Sequence, residues 1–323
     1  MIHPLPVPTP FAVGRVNCWL VEDDPLTLVD TGPNSATSLE ALENALRDHG
    51  RRVEDLERIV VTHQHMDHIG LAAILVRRSG AEVCALDRLA PWLAGYSASM
   101  RQDDAFAQAV MRRNGVPEAL VLAQLAVTTG IRAWGAATTV TRPLAHGAEL
   151  GFARRTWRVW HRPGHSPSDT VFHDERSGEL VGGDHLLAQI SSNPLVSRPL
   201  GGDPDAAHRP RALMAYLDSL RATRAMDVRL VLPGHGEVIE DHVALIDERL
   251  RLHERRARKL ERLIAAEPRT AFALAQAMWG NVALTQAYLT LSEVLGHVDL
   301  LLDRGSVVEE EAGEGVVRYR AAG

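Results

Sequence analysis

From residue 15 onward the chain alternates short apolar runs, rich in β-branched residues, with stretches of helical periodicity. "VNCWLV" and "LTLVDTG", separated by the turn "EDDP", read as two strands. A polar amphipathic stretch then runs to about His49, followed by "RIVVTH", the helix "GLAAILVRRSG" closed by Gly80, and the strand "AEVCALD". Residues 88–137 carry helical patterns and no strand pattern, including "DDAFAQAVMRRNG" with its closing glycine and "PEALVLAQLAV" opening at Pro117. Strand patterns resume in "TWRVWHRPGH", "TVFHDE", "ELVGGD" and "VRLVLPGHG", with one helix around residues 213–220. This alternation predicts a layered α/β domain over residues 1–240, with 88–137 as a helical insertion.

The last part of the chain changes character. Residues 243–266 form one long charged amphipathic pattern, and Thr270 can cap "AFALAQAMWG". The next helix lines up Leu291, Val294, Leu295, Val298, Leu301 and Leu302 before Gly305. "SVVEEEAGEGVVRYRA" predicts a hairpin turning at Gly313 or Gly315. Helices followed by a hairpin is the order of a winged helix, so residues 241–323 are expected to form a small α+β, winged-helix-like domain.

Composition narrows the function classes. At 323 residues, 46% hydrophobic and 24% charged, the chain suits a globular protein. No apolar run approaches the ~18 residues of a membrane span, and no signal-peptide pattern opens the sequence, so a cytoplasmic protein is expected. Cys18 and Cys84 support neither a disulfide framework nor a thiolate zinc site. A net charge of −6 argues against a large phosphate-neutralising surface. The candidate third helix of the C-terminal part carries Glu293, Asp299 and Asp303, and the hairpin opens with Glu309, Glu310 and Glu311. Repulsion from phosphate disfavours nucleic acid as a partner; packing, self-association or shaping of a substrate pocket fits better.

The chemistry concentrates in "VTHQHMDHIG". In an extended segment His63 and His65 project to one side and can share a cation, while Asp67 and His68 follow at the turn into the next helix. His165 in "HRPGHS", Asp184 in "LVGGD" and His235 in "LVLPGHG" each stand just beyond an apolar run. In layered α/β folds such loops gather at one end of the sheet. Gly164 and Gly234 are expected to aim the histidines that follow them, through positive φ or close backbone approach. Imidazoles and carboxylates without thiolates suit zinc, and also iron or manganese. Five histidines and two aspartates exceed what one tetrahedral ion needs, so two divalent cations are expected, able to acidify a bridging water and polarise a substrate oxygen.

The run from His63 to His68 resembles the HxHxDH signature of the metallo-β-lactamase superfamily, with His165, Asp184 and His235 following in that family's order. The resemblance spans roughly residues 10–240 and implies an αββα sandwich. It further implies that His63, His65 and His165 hold one metal, that Asp67, His68 and His235 hold the other, and that Asp184 bridges them. Asp30 in "LVDTG" would orient the ligand loops.

Asp184 at the bridging position disfavours antibiotic cleavage, and His65, where flavodiiron members carry a carboxylate, disfavours that redox branch. "PGHSPSDTVF", "GGDHLL" and the C-terminal extension are similar to glyoxalase II-like hydrolases and to the subgroup with a β-lactamase-associated winged helix. The expected activity is therefore hydrolysis of a small-molecule thioester, ester or lactone by a bridging hydroxide, with Asp67 and Asp184 as the catalytic carboxylates. A phosphodiesterase or endoribonuclease and a mononuclear iron sulfur dioxygenase are the alternatives. Three secondary candidates remain. His185 could donate a proton but is better placed to pack. Arg154, Arg155, Arg158 and Arg162 read better as a solvated face than as an anion site. Trp92, Tyr96, Met100 and Phe106 could supply apolar substrate contacts.

Overall fold

The computed structural model describes residues 1–202 and 205–323. Two sheets face each other. The first is six-stranded, in the order β1 (Ile2–Val7), β2 (Val16–Val21), β3 (Thr27–Val29), β4 (Arg58–Val60), β5 (Glu82–Leu86) and β6 (Arg142–Leu144). Its first three strands are antiparallel and β3 to β6 run parallel, joined through helices α1 (Ala36–Asp48), α2 (Met66–Ile69) and α3 (Ala72–Ser79) and through an insertion of α4 (Ala90–Ala94), α5 (Tyr96–Arg113) and α6 (Glu118–Ile131). The second sheet has five strands: β7 (Glu149–Gly151), β8 (Thr156–His161), β9 (Thr170–Asp174), β10 (Glu179–Gly183) and β11 (Leu230–Pro233). The last pairs parallel to β10 after α7 (Ala212–Arg224).

Burial explains the layering. Trp19, Val29, Val60, Trp157, Phe172 and Val181 fill the space between the sheets. Leu28 and Ile59 face the opposite side and pack on Leu42 and Leu46 of α1, while Val171, Leu180 and Val231 pack on Leu213, Leu217 and Leu220 of α7. Strands buried on both faces read as continuous apolar runs, which is how β2, β4 and β10 announce themselves in the sequence. The expected αββα arrangement is present.

The C-terminal part comprises α8 (His242–Ala266), α9 (Ala271–Trp279), α10 (Val282–Thr285), α11 (Ala287–Asp303) and the hairpin β12 (Val307–Gly313) with β13 (Val316–Ala321). Thr270 caps α9 through Ala273 N, and Gly305 takes the left-handed conformation beyond α11, both as expected. The insertion is not separate from this part. Phe106, Val110, Met111 and Val121 share one core with Leu260, Phe272, Leu291 and Val298. Helix α8 reaches both cores, with Ile246 against the second sheet's helical layer and Leu260 in the C-terminal core.

Candidate metal centre

The ends of β4, β8, β10 and β11 deliver their following loops to one place. His63, His65 and His165 bring ligand atoms within 4.8 Å of one another, and so do Asp67, His68 and His235. Within the first group His65 Nδ1 lies 3.1 Å from His63 Nε2 and 2.9 Å from His165 Nε2. Asp184 stands between the groups, its carboxylate 3.4 Å from His68 Nε2, 3.6 Å from His165 Nε2 and 3.5 Å from His235 Nε2. All seven residues singled out in the sequence therefore converge.

The outer nitrogens of these rings fix their tautomers. Thr62 Oγ1 donates to Asp30 Oδ2 at 2.8 Å and so accepts from His63 Nδ1–H at 3.0 Å. His68 Nδ1–H donates to Asp30 Oδ2 at 2.7 Å, His165 Nδ1–H to Asn193 O at 3.2 Å and His235 Nδ1–H to Arg15 O at 2.7 Å. Each assignment leaves a bare Nε2 lone pair turned into the cluster. Asp30 adopts φ 57°, a left-handed conformation that aspartate tolerates better than most residues, and its other oxygen accepts from Thr62 N at 2.9 Å. It orients the 62–68 loop at both ends, whereas the sequence led to the expectation that it would orient the ligand loops together.

The donor set fits divalent cations. His68 Nε2, His235 Nε2 and Asp184 Oδ1 are buried without a hydrogen-bond partner, and an orphaned buried polar atom costs about 1–3 kcal/mol. Three such atoms facing one another beside three convergent imidazoles suit divalent ions. The electrostatics divide the two groups. Burial, then the neighbouring imidazoles, push His63 well below its ordinary value, and burial with His165 pushes His65 down to about 3. Burial opposes ionisation of Asp184, but His68 and His235 outweigh it and hold the carboxyl well below the usual range. Against burial, Asp184 and Asp30 raise His68 well above its ordinary value, and Asp184 and Asp67 raise His235, so these two imidazoles hold protons that a bound cation would displace; neutral imidazoles and ionised carboxylates are the states that bind metal.

Glycine acts here by close approach. A Cβ on Gly234 would collide with Asp184 Oδ1 and sit 2.8 Å from His68 Cε1, and one on Gly164 would collide with Tyr216. Neither glycine has positive φ, contrary to one of the two routes expected; Gly183, just before Asp184, does, at 49°.

Several supporting residues carried no recognisable sequence signal. Asp169 accepts from Ser166 N at 2.9 Å and Ser166 Oγ at 2.6 Å, and Ser168 Oγ bonds Gln64, tying the His165 loop to the His63–His68 loop. Burial raises the Asp169 carboxyl to about 6. Arg249, reaching in from α8, donates to Leu187 O and Ala188 O just beyond Asp184.

The secondary candidates sort cleanly. His185 faces away, bonded to Thr223 Oγ1 at 2.8 Å and held neutral by burial with its pKa near 3, so it is not the proton donor. Arg154 and Arg155 pair with Asp23 and Arg158 with Glu149, whereas Arg162 is half-buried over the Trp160 ring at 5.1 Å, so the four do not form the single solvated face expected. A cavity of about 650 Å³ opens over the cluster, with Trp92, Met100 and Phe106 on its wall. Tyr96 packs elsewhere, its hydroxyl donating to Arg132 O at 2.9 Å. A further buried group, His253, Glu293 and His297, lies between α8 and α11. There Arg256 already neutralises Glu293 at 2.6 Å, which marks a packing network.

A family model described as the metallo-beta-lactamase superfamily matches residues 12–235. The chain is 34% identical over 313 residues to the probable metallo-hydrolase YqjP of Bacillus subtilis (strain 168), covering 97% of this chain and 93% of that one. Among solved structures it is similar to the metallo-beta-lactamase family protein TTHA1429 from Thermus thermophilus, at 26% identity and a TM-score of 0.79, covering 99% and 98% of the two chains. A beta-lactamase domain protein from Burkholderia ambifaria matches at 27% identity and a TM-score of 0.81, covering 99% and 92%. The chain belongs to the metallo-beta-lactamase superfamily, and with that membership it is a metal-dependent hydrolase. Whole-length coverage means that residues 241–323 have counterparts in these relatives.

Proposed function

We propose that this protein is a dinuclear hydrolase that cleaves a small-molecule thioester, ester or lactone. The observation that carries this reading is the facing set of unpartnered buried atoms, His68 Nε2, His235 Nε2 and Asp184 Oδ1, beside the His63, His65 and His165 triad. His63, His65 and His165 would hold one ion and Asp67, His68 and His235 the other, with Asp184 shared; zinc suits this thiolate-free set. When bound, two such cations acidify a water at neutral pH and polarise a carbonyl oxygen.

The chain's own residues then do the rest. Asp67 Oδ2, 3.3 Å from His235 Nε2, is the acceptor that orients the attacking water. Asp184 fixes the spacing of the two groups, and Asp30 holds His68 and Thr62 in register. The largely apolar wall over the cluster excludes bulk water and favours an apolar acyl group. This combination supports reading the protein as a glyoxalase II-like hydrolase. The reading keeps residues 1–240 as the catalytic domain and 241–323 as a winged-helix-like domain. It takes the working location as the cytoplasm, where the unpaired Cys18 and Cys84 stay reduced.

Nucleic acid is a poor partner for the C-terminal part. Helix α11 is largely buried, Asp299 is paired inward with Arg209 at 2.7 Å, and Glu310 of the hairpin neutralises Arg318 and Arg320. Among the described residues no helix is long and apolar enough to cross a membrane.

The test is elemental analysis of the purified protein coupled to a panel of thioesters, lactones, phosphodiesters and RNA. Two equivalents of zinc with acyl hydrolysis, abolished in folded His65→Ala and Asp184→Asn, is the expected result. One iron with oxygen consumption on a persulfide, or cleavage confined to RNA, would replace it.

A further inference from the structure

The cavity over the metal centre is apolar for most of its extent, with Trp92, Met100, Phe106, Leu200 and Tyr288 among its walls. Among the described residues that line it, Arg198 is the only arginine or lysine. Its side chain is 10% exposed and so largely withdrawn from bulk solvent. Nε donates to Asp103 Oδ1 at 2.7 Å, and the other oxygen of Asp103 is taken by Trp92 Nε1 at 2.8 Å. Asp103 thus locks the guanidinium plane from behind. Neither terminal nitrogen of Arg198 has a protein partner among the described residues. A planar fork held rigid on one edge and open on the other is the arrangement that captures a carboxylate bidentately.

We propose that Arg198 anchors a carboxylate at the far end of the substrate, so that the enzyme takes acyl thioesters or esters whose apolar chain ends in a carboxylate. This rests on the acyl-hydrolase reading above. Charge argues against polyanions: Asp103 already balances Arg198, so a phosphate dianion or a polyphosphate carrier would meet no surplus positive charge, whereas a carboxylate brings a single charge and matches the two free donors of the fork. The distal end is assigned because, among the described residues, Arg198 and Asp103 share the cavity with the cluster but bond none of its seven residues. Asn193 accepts from His165 and so sits beside the metal centre, whereas Arg198 lies further along the same loop and is tied to α5 through Asp103. A substrate stretched between them lays its methylenes against Trp92 and Phe106. Hydrolysis adds one water: the acyl carbon–sulfur bond breaks, a carbon–oxygen bond forms, and a dicarboxylate and a free thiol leave.

The experiment compares octanoyl and suberoyl thioesters of N-acetylcysteamine, equal in chain length and differing by the terminal carboxylate, on the zinc-loaded protein. The expected result is a preference for the suberoyl thioester of about ten- to hundredfold in kcat/KM, the range set by a charged hydrogen bond, and expressed in KM. In Arg198→Met that ratio falls to about one, and Arg198→Lys, with a point charge and no fork, lies between. A ratio near one in the parent protein, or a ratio unchanged in a natively folded Arg198→Met, overturns the proposal. Calorimetric titration with monomethyl suberate separates this outcome from failure of the hydrolase reading. If neither thioester is cleaved, binding that weakens about tenfold or more in Arg198→Met supports the anchor without the reaction. Binding that is absent or independent of Arg198 overturns it.

Discussion

Replacing Arg249 by methionine removes a guanidinium from α8 while keeping most of the volume of its stem. Arg249 is 6% exposed, and its Nη2 donates to Ala188 O at 3.0 Å and Leu187 O at 3.2 Å, with Ile190 O at 3.4 Å as a weaker third. One nitrogen carries two hydrogens, so two of these bonds are well made. At about 1.5–3 kcal/mol for each bond to a charged donor, less the desolvation that methionine avoids, the expected loss is about 2–4 kcal/mol. The loss should be felt locally, because these carbonyls belong to the turn beyond Asp184, whose own carbonyl accepts from Ser192 Oγ. Urea unfolding measures the global term, and amide hydrogen exchange over residues 187–193 measures the local one. Exchange there should accelerate by about tenfold or more, with Arg249→Lys near half the stability loss because its ammonium keeps one bond. Exchange unchanged over 187–193 while stability falls would refute the reasoning, since Arg249 would then only pack.

Two further outcomes follow from the geometry. Gly234→Ala places a methyl against Asp184 Oδ1 and His68 Cε1, so the folded variant should lose the second equivalent of zinc by elemental analysis; a variant retaining both would show that the close approach is not required. Burial, then His297 and Arg256, push His253 down to about 3. A folded pKa below the unfolded one means that its contribution is complete above about 6.5 and is lost as pH falls toward 3, at up to about 1.4 kcal/mol per pH unit. His253→Leu should therefore flatten the fall in urea midpoint between pH 7 and pH 4 relative to the parent, and parallel curves would exclude the effect.

The seven convergent groups were legible because each stands directly after a strand pattern, and strand ends share one rim of the fold. The strands missed are equally instructive. β1 contains Pro4 and Pro6, which break a periodicity reading, yet it lies at the edge of its sheet, where a missing N–H costs no ladder bond. β6 and β7 are as short as β3 and β4, but each buries a single residue, Leu144 or Leu150, so neither shows the continuous apolar run by which β3 and β4 are read. Arg249, Asp169 and Arg198 were invisible for a different reason. Their partners are backbone carbonyls or residues far away in the sequence, or sit in loops without periodicity, and an isolated arginine in a charged helix looks like a solvated one.

The loop from 187 to 200 joins the convergent cluster to the cavity wall. It presents Asn193 O to His165 at one end and Arg198 to the cavity at the other. It is held by the C-terminal part: Arg249 bonds its start, Asn193 Nδ2 donates to Leu289 O at 3.0 Å, Val196 N donates to Ser292 Oγ at 3.3 Å, and Tyr288 OH bonds Val196 O. The ligand loops themselves are fixed by Asp30, Thr62 and Asp169, none of which touches that layer. Substitutions in α8 or α11 therefore act on the cavity wall and, through this loop, reach the cluster at the His165–Asn193 and Asp184–Ser192 bonds, while the Asp30, Thr62 and Asp169 bonds are made elsewhere. Residues 241–323 thus brace the backbone that forms one wall of the cavity.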